Sequence, residues 1–187
     1  MKIKWDALMA NEKRQFEKMT QNEKFVYFLL LQFGSPYGWG QETPEASDCS
    51  GAVCMALYAA TGFLVRTTAD DLYRRVFTKT DPRNGDIKAV FFITRKEQGH
   101  GDRTVAAWTA THVAGLVDDG VVYNSQEPYG KLRSLKDLTD IYQRKGYEVM
   151  IRGLDLAALA RLAADGKTVY GLDPEFSRYF DFGGIKQ

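Results

Sequence analysis

Cysteine and histidine are scarce in this sequence, with two of each in 187 residues. So few cannot build a zinc framework of several Cys/His sites or the disulfide-dense scaffold of a small secreted domain. A surplus of positive charge is also missing: 25 Lys and Arg stand against 24 Asp and Glu, a formal net charge of +1. That balance argues against a polybasic nucleic-acid binder, which needs extra cations to neutralise phosphates. Long apolar runs are absent too. The greasiest stretch, FVYFLLLQF at 25–33, falls well short of the ~20 apolar residues that span a bilayer. Residues 1–20 are charged throughout and lack the apolar centre of a secretory signal. The chain is therefore expected to be made in the cytoplasm without a signal peptide or membrane anchor. Repeats, low-complexity tracts and Pro- or Ser-rich linkers do not occur, so a single domain over 1–187 is expected.

What is present fits a globular protein with one substantial core, at 44% hydrophobic and 26% charged residues. The first third reads as helical. Residues 6–19 carry a weak amphipathic pattern (Leu8, Met9, Phe16, Met19), and a second helix over 22–33 ends at Gly34, with Pro36 beyond it. After a Gly/Tyr/Trp turn at 34–40, another helix is predicted to start at 48–49. Ser47 or Asp48 would cap it, Ala52, Val53, Ala56 and Leu57 would pack it, and Gly62 would close it. A short helix over 69–76 and a turn at 81–85 follow.

The texture then changes to strands, at 87–94, 113–117, 121–123 and 147–151. Asp119-Gly120 between two of them predicts a hairpin with a type I′ turn. Residues 135–145 read as a polar surface helix and 154–164 as an Ala- and Leu-rich one. Helices first and a mostly antiparallel sheet afterwards make an α+β fold.

Cys49 falls at the predicted first turn of a helix, where free N–H groups and the dipole favour a thiolate. A nucleophilic cysteine also needs a base, and the base needs an orienting group. His112 and Asn124 lie on opposite sides of the Asp119-Gly120 turn, so the hairpin brings them side by side, and packing the Cys49 helix against that sheet would complete a Cys–His–Asn triad. A cysteine ahead of a small-residue helix is more often a packing residue, and His112 alone is equally ambiguous. Cys54, inside the same helix, reads as core. His100, in the polar segment QGHGD, reads as an exposed loop residue.

Several segments together carry a resemblance. Pro36-Tyr37-Gly38-Trp39-Gly40 followed by Asp48-Cys49-Ser50-Gly51 is similar to the signature of the NlpC-like family of bacterial cell-wall cysteine peptidases. Leu64-Val65-Arg66-Thr67-Thr68 resembles that family's LPRTT motif, Gly85-Asp86-Ile87 through Phe91-Phe92 its GDLVFF strand, and His112-Val113 through Asn124 its histidine hairpin. The likeness covers about residues 22–126, with 127–187 as a C-terminal extension that ends in the aromatic stretch YFDFGG at 179–184. It departs from the family at Gln41 and Ala114, where glycine is usual, at Val65 in place of proline, and at Asn124 where many members have histidine. About seventeen residues, 95–111, stand where the family has a short connection, and they are expected to form a flap beside the cleft that helps select substrate or, equally, a surface insertion.

The resemblance implies a papain-like fold with Cys49 as nucleophile, His112 as general base, Asn124 as its orienting partner and Tyr37 as an oxyanion-hole donor. It places Trp39, Asp48 and Ser50 along the substrate groove, where Asp48 would hold a peptide amine or, equally, cap the helix. Arg66 is expected to be a structural hydrogen-bonding residue. The implied activity is cleavage of peptidoglycan stem peptides between γ-D-glutamate and the diamino acid, through an acyl-enzyme and without a metal or organic cofactor. A wall hydrolase with no signal peptide fits a phage lysin, a virion-associated component or a toxin delivered by a secretion machine, so phage tail or secretion proteins are the expected partners beside the stem peptides. Two alternatives stay open. One is an amidase or acyltransferase using the same Cys–His pair; the other is a catalytically silent phage structural or binding protein.

Overall fold

The structure is a computed structural model that describes residues 15–43, 45–100 and 103–166. Residues 15–18 are helical, and the rest of the helix expected over 6–19, like the aromatic stretch at 179–184, lies outside the described residues. A capping box opens α1 (Gln21–Leu31): Thr20 Oγ1 accepts from the Glu23 N–H, and the Glu23 carboxylate accepts from the Thr20 N–H at 2.7 Å. Phe25, Phe28 and Leu29 turn inward, and Gly34, with φ +80°, ends the run. A small ribbon, β1 (Glu42–Thr43) paired with β2 (Ala46–Ser47), leads into α2 (Cys49–Thr61). Asp48 caps α2 at its start and Gly62, with φ +78°, closes it, as those residue types predict. The helix expected over 69–76 is there in two parts, α3 (Ala69–Asp71) running directly into a π-helical turn, Leu72–Val76.

The remaining elements are β3 (Lys88–Thr94), β4 (Gln98–His100), β5 (Arg103–Val105), β6 (Ala110–Asp118), β7 (Val121–Asn124), β8 (Lys131–Ser134), α4 (Leu135–Arg144), β9 (Tyr147–Gly153) and α5 (Leu156–Ala164). Five strands form one antiparallel sheet in the order β8-β7-β6-β3-β9. Helices cover both faces. Phe91, Ile93, Val113 and Tyr123 look toward α1, α2 and α5, while Val90, Phe92, Ala114, Leu116 and Val122 look toward Leu138 and Tyr142 of α4. Burial of each such side chain contributes about 1.5–3 kcal/mol. This is the expected papain-like α+β arrangement.

Four details differ from the sequence expectation. β8 was not foreseen, because KLRS is a short edge strand with one exposed leucine and no apolar alternation. The 119–120 hairpin forms, but neither residue takes the positive φ of a type I′ turn, and the register instead shifts between Leu116 and Asp118. The segment 95–111 is not a plain loop: β4 and β5 pair as a ribbon that places the His100 backbone in a strand. Helix 135–145 is not wholly on the surface, since Leu138 and Tyr142 are buried.

Close approaches by glycine hold the layers together. Leu29 of α1 rests on the bare Cα of Gly115 in β6, and Gly51 in the first turn of α2 abuts the Gln41 carbonyl. A Cβ at Gly51 would collide with that backbone oxygen, which no rotamer change relieves. Gly51→Ala is expected to lower stability by about 2 kcal/mol, seen as a lower urea midpoint at unchanged slope.

Candidate active site

The start of α2 is built on a buried ion cluster. Arg66 has no exposed side-chain surface, and its guanidinium donates from Nε to Glu42 (3.1 Å), from Nη2 to Asp48 (2.9 Å) and from Nη1 to Ser50 Oγ (3.0 Å) and the Thr67 carbonyl (2.8 Å). Asp48 Oδ1 accepts from the Gly51 N–H (2.6 Å) and from Ser50 Oγ (2.9 Å). Its Oδ2 accepts from the Gly40 N–H (2.9 Å) as well as from Arg66. All four acceptor positions of the carboxylate are therefore taken, and the one hydroxyl proton of Ser50 goes to Asp48. Of the two roles expected for Asp48 and Ser50, substrate groove and helix cap, the structure shows the second. They cap the helix and fix its first turn, and Arg66 is structural as expected.

Cys49 is the first residue of α2, near the backbone N–H groups of Val113 and Ser50. Burial first, and the adjacent Asp48 carboxylate second, push its thiol up to about 12, although those two N–H groups and Arg66 pull the other way. The sequence expectation of a lowered pKa is reversed. A helix terminus contributes about 0.3–2 kcal/mol, whereas full burial moves a pKa by up to ~3–5 units, and desolvation prevails. Burial and the adjacent carboxylate thus both favour the neutral thiol. Its own N–H has no acceptor among the described residues.

His112 lies within β6 opposite Phe92 rather than at the strand's start. Its Nε2 meets Asn124 Oδ1 at 2.6 Å. Asn124 Nδ2 donates to Gln126 Oε1 at 3.2 Å, so Oδ1 is the acceptor facing the ring. Nε2 then carries the proton, and Nδ1 holds the lone pair a general base needs. Ser125 Oγ donates to the Ser47 carbonyl at 2.8 Å, pinning the end of β7 beside the start of α2.

Tyr37 is held by its N–H to the Pro128 carbonyl (3.0 Å) and by a bridge to Ser47. Burial above all, with the Asp48 and Glu127 carboxylates adding to it, raises its hydroxyl above the usual range, so it stays a proton donor. Trp39, 58% exposed, stands on the same loop. Cys54 is core, and both cysteines are free. No group of three or more His, Cys, Asp or Glu side chains among the described residues could hold a metal ion.

Sequence reasoning missed one residue. The ring of Tyr142 on α4 lies parallel to His112, 7° between planes and 5.7 Å between centroids. The signal was the stripe Leu135, Leu138, Tyr142 at helical spacing.

Two outcomes follow from this geometry. Arg66→Met, which leaves Glu42 and Asp48 buried without a counter-ion, is expected to destabilise the fold by about 3–5 kcal/mol, measured by urea unfolding. The rate of Cys49 alkylation by iodoacetamide should keep climbing as the pH approaches about 12. A plateau already reached near neutrality would mean a preformed thiolate.

Residues 34–148 match the profile of the NlpC/P60 family. This span holds Tyr37, Cys49, His112, Asn124 and also Tyr142. No curated protein is detectably related to the chain in sequence. Among solved structures, a Staphylococcus aureus subsp. aureus Mu50 protein described as similar to lipoprotein, NLP/P60 family, superposes with a TM-score of 0.51 at 20% identity, over 71% of this chain and 40% of that one. NlpC2 from Trichomonas vaginalis gives 0.49 at 19%, over 80% and 49%. The NlpC/p60 domain of the peptidoglycan hydrolase SagA gives 0.44 at 19%, over 72% and 97%. The chain spans less than half the length of the Staphylococcus and Trichomonas proteins. A profile match over more than half its length, on the motifs that first suggested the likeness, establishes that the chain belongs to the NlpC/P60 family of cell-wall cysteine peptidases.

Proposed function

We propose that the protein is a peptidoglycan hydrolase, a cysteine endopeptidase that cuts stem peptides between γ-D-glutamate and the diamino acid. The observation that supports this reading is the 2.6 Å contact of His112 Nε2 with Asn124 Oδ1, on the sheet against which α2, opening at Cys49, is packed. The scissile carbonyl oxygen is taken between the Cys49 N–H and the Tyr37 hydroxyl, where negative charge develops. As sulfur attacks the carbonyl carbon, His112 Nδ1 accepts the thiol proton; Asn124 holds the resulting imidazolium through Nε2–H. Collapse of the tetrahedral intermediate breaks the C–N bond, and His112 returns the proton to the leaving amine. Water, deprotonated by the same nitrogen, then attacks the thioester, releasing the carboxylate and restoring the thiol. Family membership supports the peptidase chemistry, and the Trp39 face beside Tyr37 is a suitable wall for the stem peptide.

The β4–β5 ribbon belongs to the proposal as a substrate-selecting lip. It leaves the sheet after Thr94 and returns at Ala110, two residues before His112. Trp108 at its base holds φ +64° while 55% exposed. Arg74 locks that corner by donating to the Trp108 carbonyl at 2.6 Å, and the Trp108 N–H donates to Thr94 O. Such a conformation costs about 1–3 kcal/mol and is kept where the surroundings over-determine it, often at functional sites. Replacing the ribbon with a short turn is expected to change the range of stem peptides cut; an unchanged range removes this part. Delivery by a phage tail or a secretion machine is also part of the reading, and genes for such components beside this one would support it.

Peptidoglycans of different stem types, digested with wild type and with Cys49→Ala, test the central claim by mass spectrometry. Fragments with a new amine on the diamino acid are expected from wild type alone. Tyr37→Phe is expected to lower kcat by about 10²-fold, the size of one lost oxyanion donor. No fragments from any wall, with folded protein and an alkylatable Cys49, would favour an amidase or acyltransferase. An unreactive Cys49 would favour a binding protein.

A further inference from the structure

Tyr142 has no part in the mechanism above, yet it is the aromatic partner of its base. Its ring is held by three others: parallel to His112, against Phe92 with centroids 4.0 Å apart, and edge-on to Tyr147 at 5.2 Å and 84°. Phe92 also meets His112, at 5.4 Å. Tyr147 is itself fixed by a 2.5 Å hydrogen bond to its hydroxyl from Gln98 Nε2, in the ribbon strand β4. The imidazole therefore sits in an aromatic bracket that α4 and β9 complete.

Resting on the peptidase reading, we propose that Tyr142 is a positioning residue for the reaction: its ring holds the imidazole in the plane at which Nε2 meets Asn124, and its π face stabilises the imidazolium formed when His112 takes the Cys49 proton. A cation within about 6 Å of an aromatic face is attracted by the ring quadrupole, and the attraction grows when water is excluded. Tyr142 is buried, and Phe92 and His112 lie to the same side of its ring. Before proton transfer the neutral ring gains little from the stack; after it the imidazolium gains more. An interaction of that kind lowers the barrier and leaves substrate binding alone. The hydroxyl is a separate matter. Burial above all keeps it protonated, but the stack needs only the ring.

The titratable groups about the cleft are Cys49 and Asp48 at the start of α2, Tyr37 and Glu127 on the flanking loops, Tyr142 itself and Tyr147 on β9, with Lys145 over the outer side of the Tyr142 ring at 5.8 Å. A substitution at Tyr142 leaves the other charges in place. Because the ring favours the protonated imidazole, its removal lowers the pH at which His112 loses its proton. The acid limb of kcat/KM, which follows that loss, moves the same way.

Tyr142→Leu is expected to lower kcat about tenfold, with KM within about twofold, and to shift the acid limb to lower pH. Tyr142→Phe keeps the ring and should keep the wild-type values. Should the leucine variant melt too low to assay, Tyr142→Met fills the space without a ring and takes its place. A folded ringless variant with wild-type kcat and pH profile overturns the proposal, as does a phenylalanine variant as impaired as the ringless one. A merely structural role would lower the melting temperature without moving the limb, and that result also overturns it. The imidazole proton resonances of His112, in a chain with one other histidine, titrate without any substrate. A downward shift in the ringless variant alone supports the stack even if no stem peptide is cut, and identical titrations refute it even if one is.

Discussion

One guanidinium with no contact to solvent fixes the geometry on which the rest of the site depends. Arg66 ties together Glu42 of the β1–β2 ribbon, Asp48 and Ser50 on either side of the nucleophile, and its own following carbonyl. Cys49 stands between two residues that the same side chain holds, so its backbone has no freedom to drift. A lysine could not do this, because one ammonium has three donors and no rigid planar fork with which to address four acceptors. Burying such charges earns little net stability. What it gives here is a single register between the loop carrying Tyr37 and the helix carrying Cys49. Gly40, whose N–H also goes to Asp48, joins that loop to the same carboxylate.

A second constraint is the place where strand pairing stops. β6 and β7 pair from Asp118↔Val121 to Gly115↔Tyr123 and then part. Beyond that point Asn124 reaches His112, and Ser125 crosses to Ser47. The site occupies the gap left by the missing rungs of the ladder. Backbone groups that a continued sheet would have satisfied are available for chemistry, and the sheet below keeps them rigid.

Much of this was legible in the residues themselves. Asp48 and Gly62 gave both ends of α2 because capping chemistry is local. The pair His112 and Asn124 followed from the hairpin, although the turn itself took another form. What could not be read depended on distant partners. Asp48 looked free to bind an amine until Arg66, eighteen residues on, was found across it. The thiol of Cys49 looked acidic because a helix start is visible in sequence, whereas the depth at which that start lies is not. Tyr142 was hidden for a similar reason. A helix with Lys136, Asp137 and Asp140 on one side reads as surface, and nothing local says that its narrow apolar stripe lands on a catalytic ring.

These constraints bear on a single proton. The carboxylate that positions Cys49 also raises its thiol, so the device that places the nucleophile works against charging it. A resting thiolate is then disfavoured, and sulfur becomes nucleophilic only as its proton leaves. In the proposed reaction the Cys–His pair would work as a serine–histidine pair does, with the base acting during the attack and not before it. In that regime the imidazolium exists only transiently, and groups that recognise it count toward the barrier alone. Asn124 meets its edge and Tyr142 its face. The two contacts act on different parts of the ring, and together they restrict its orientation.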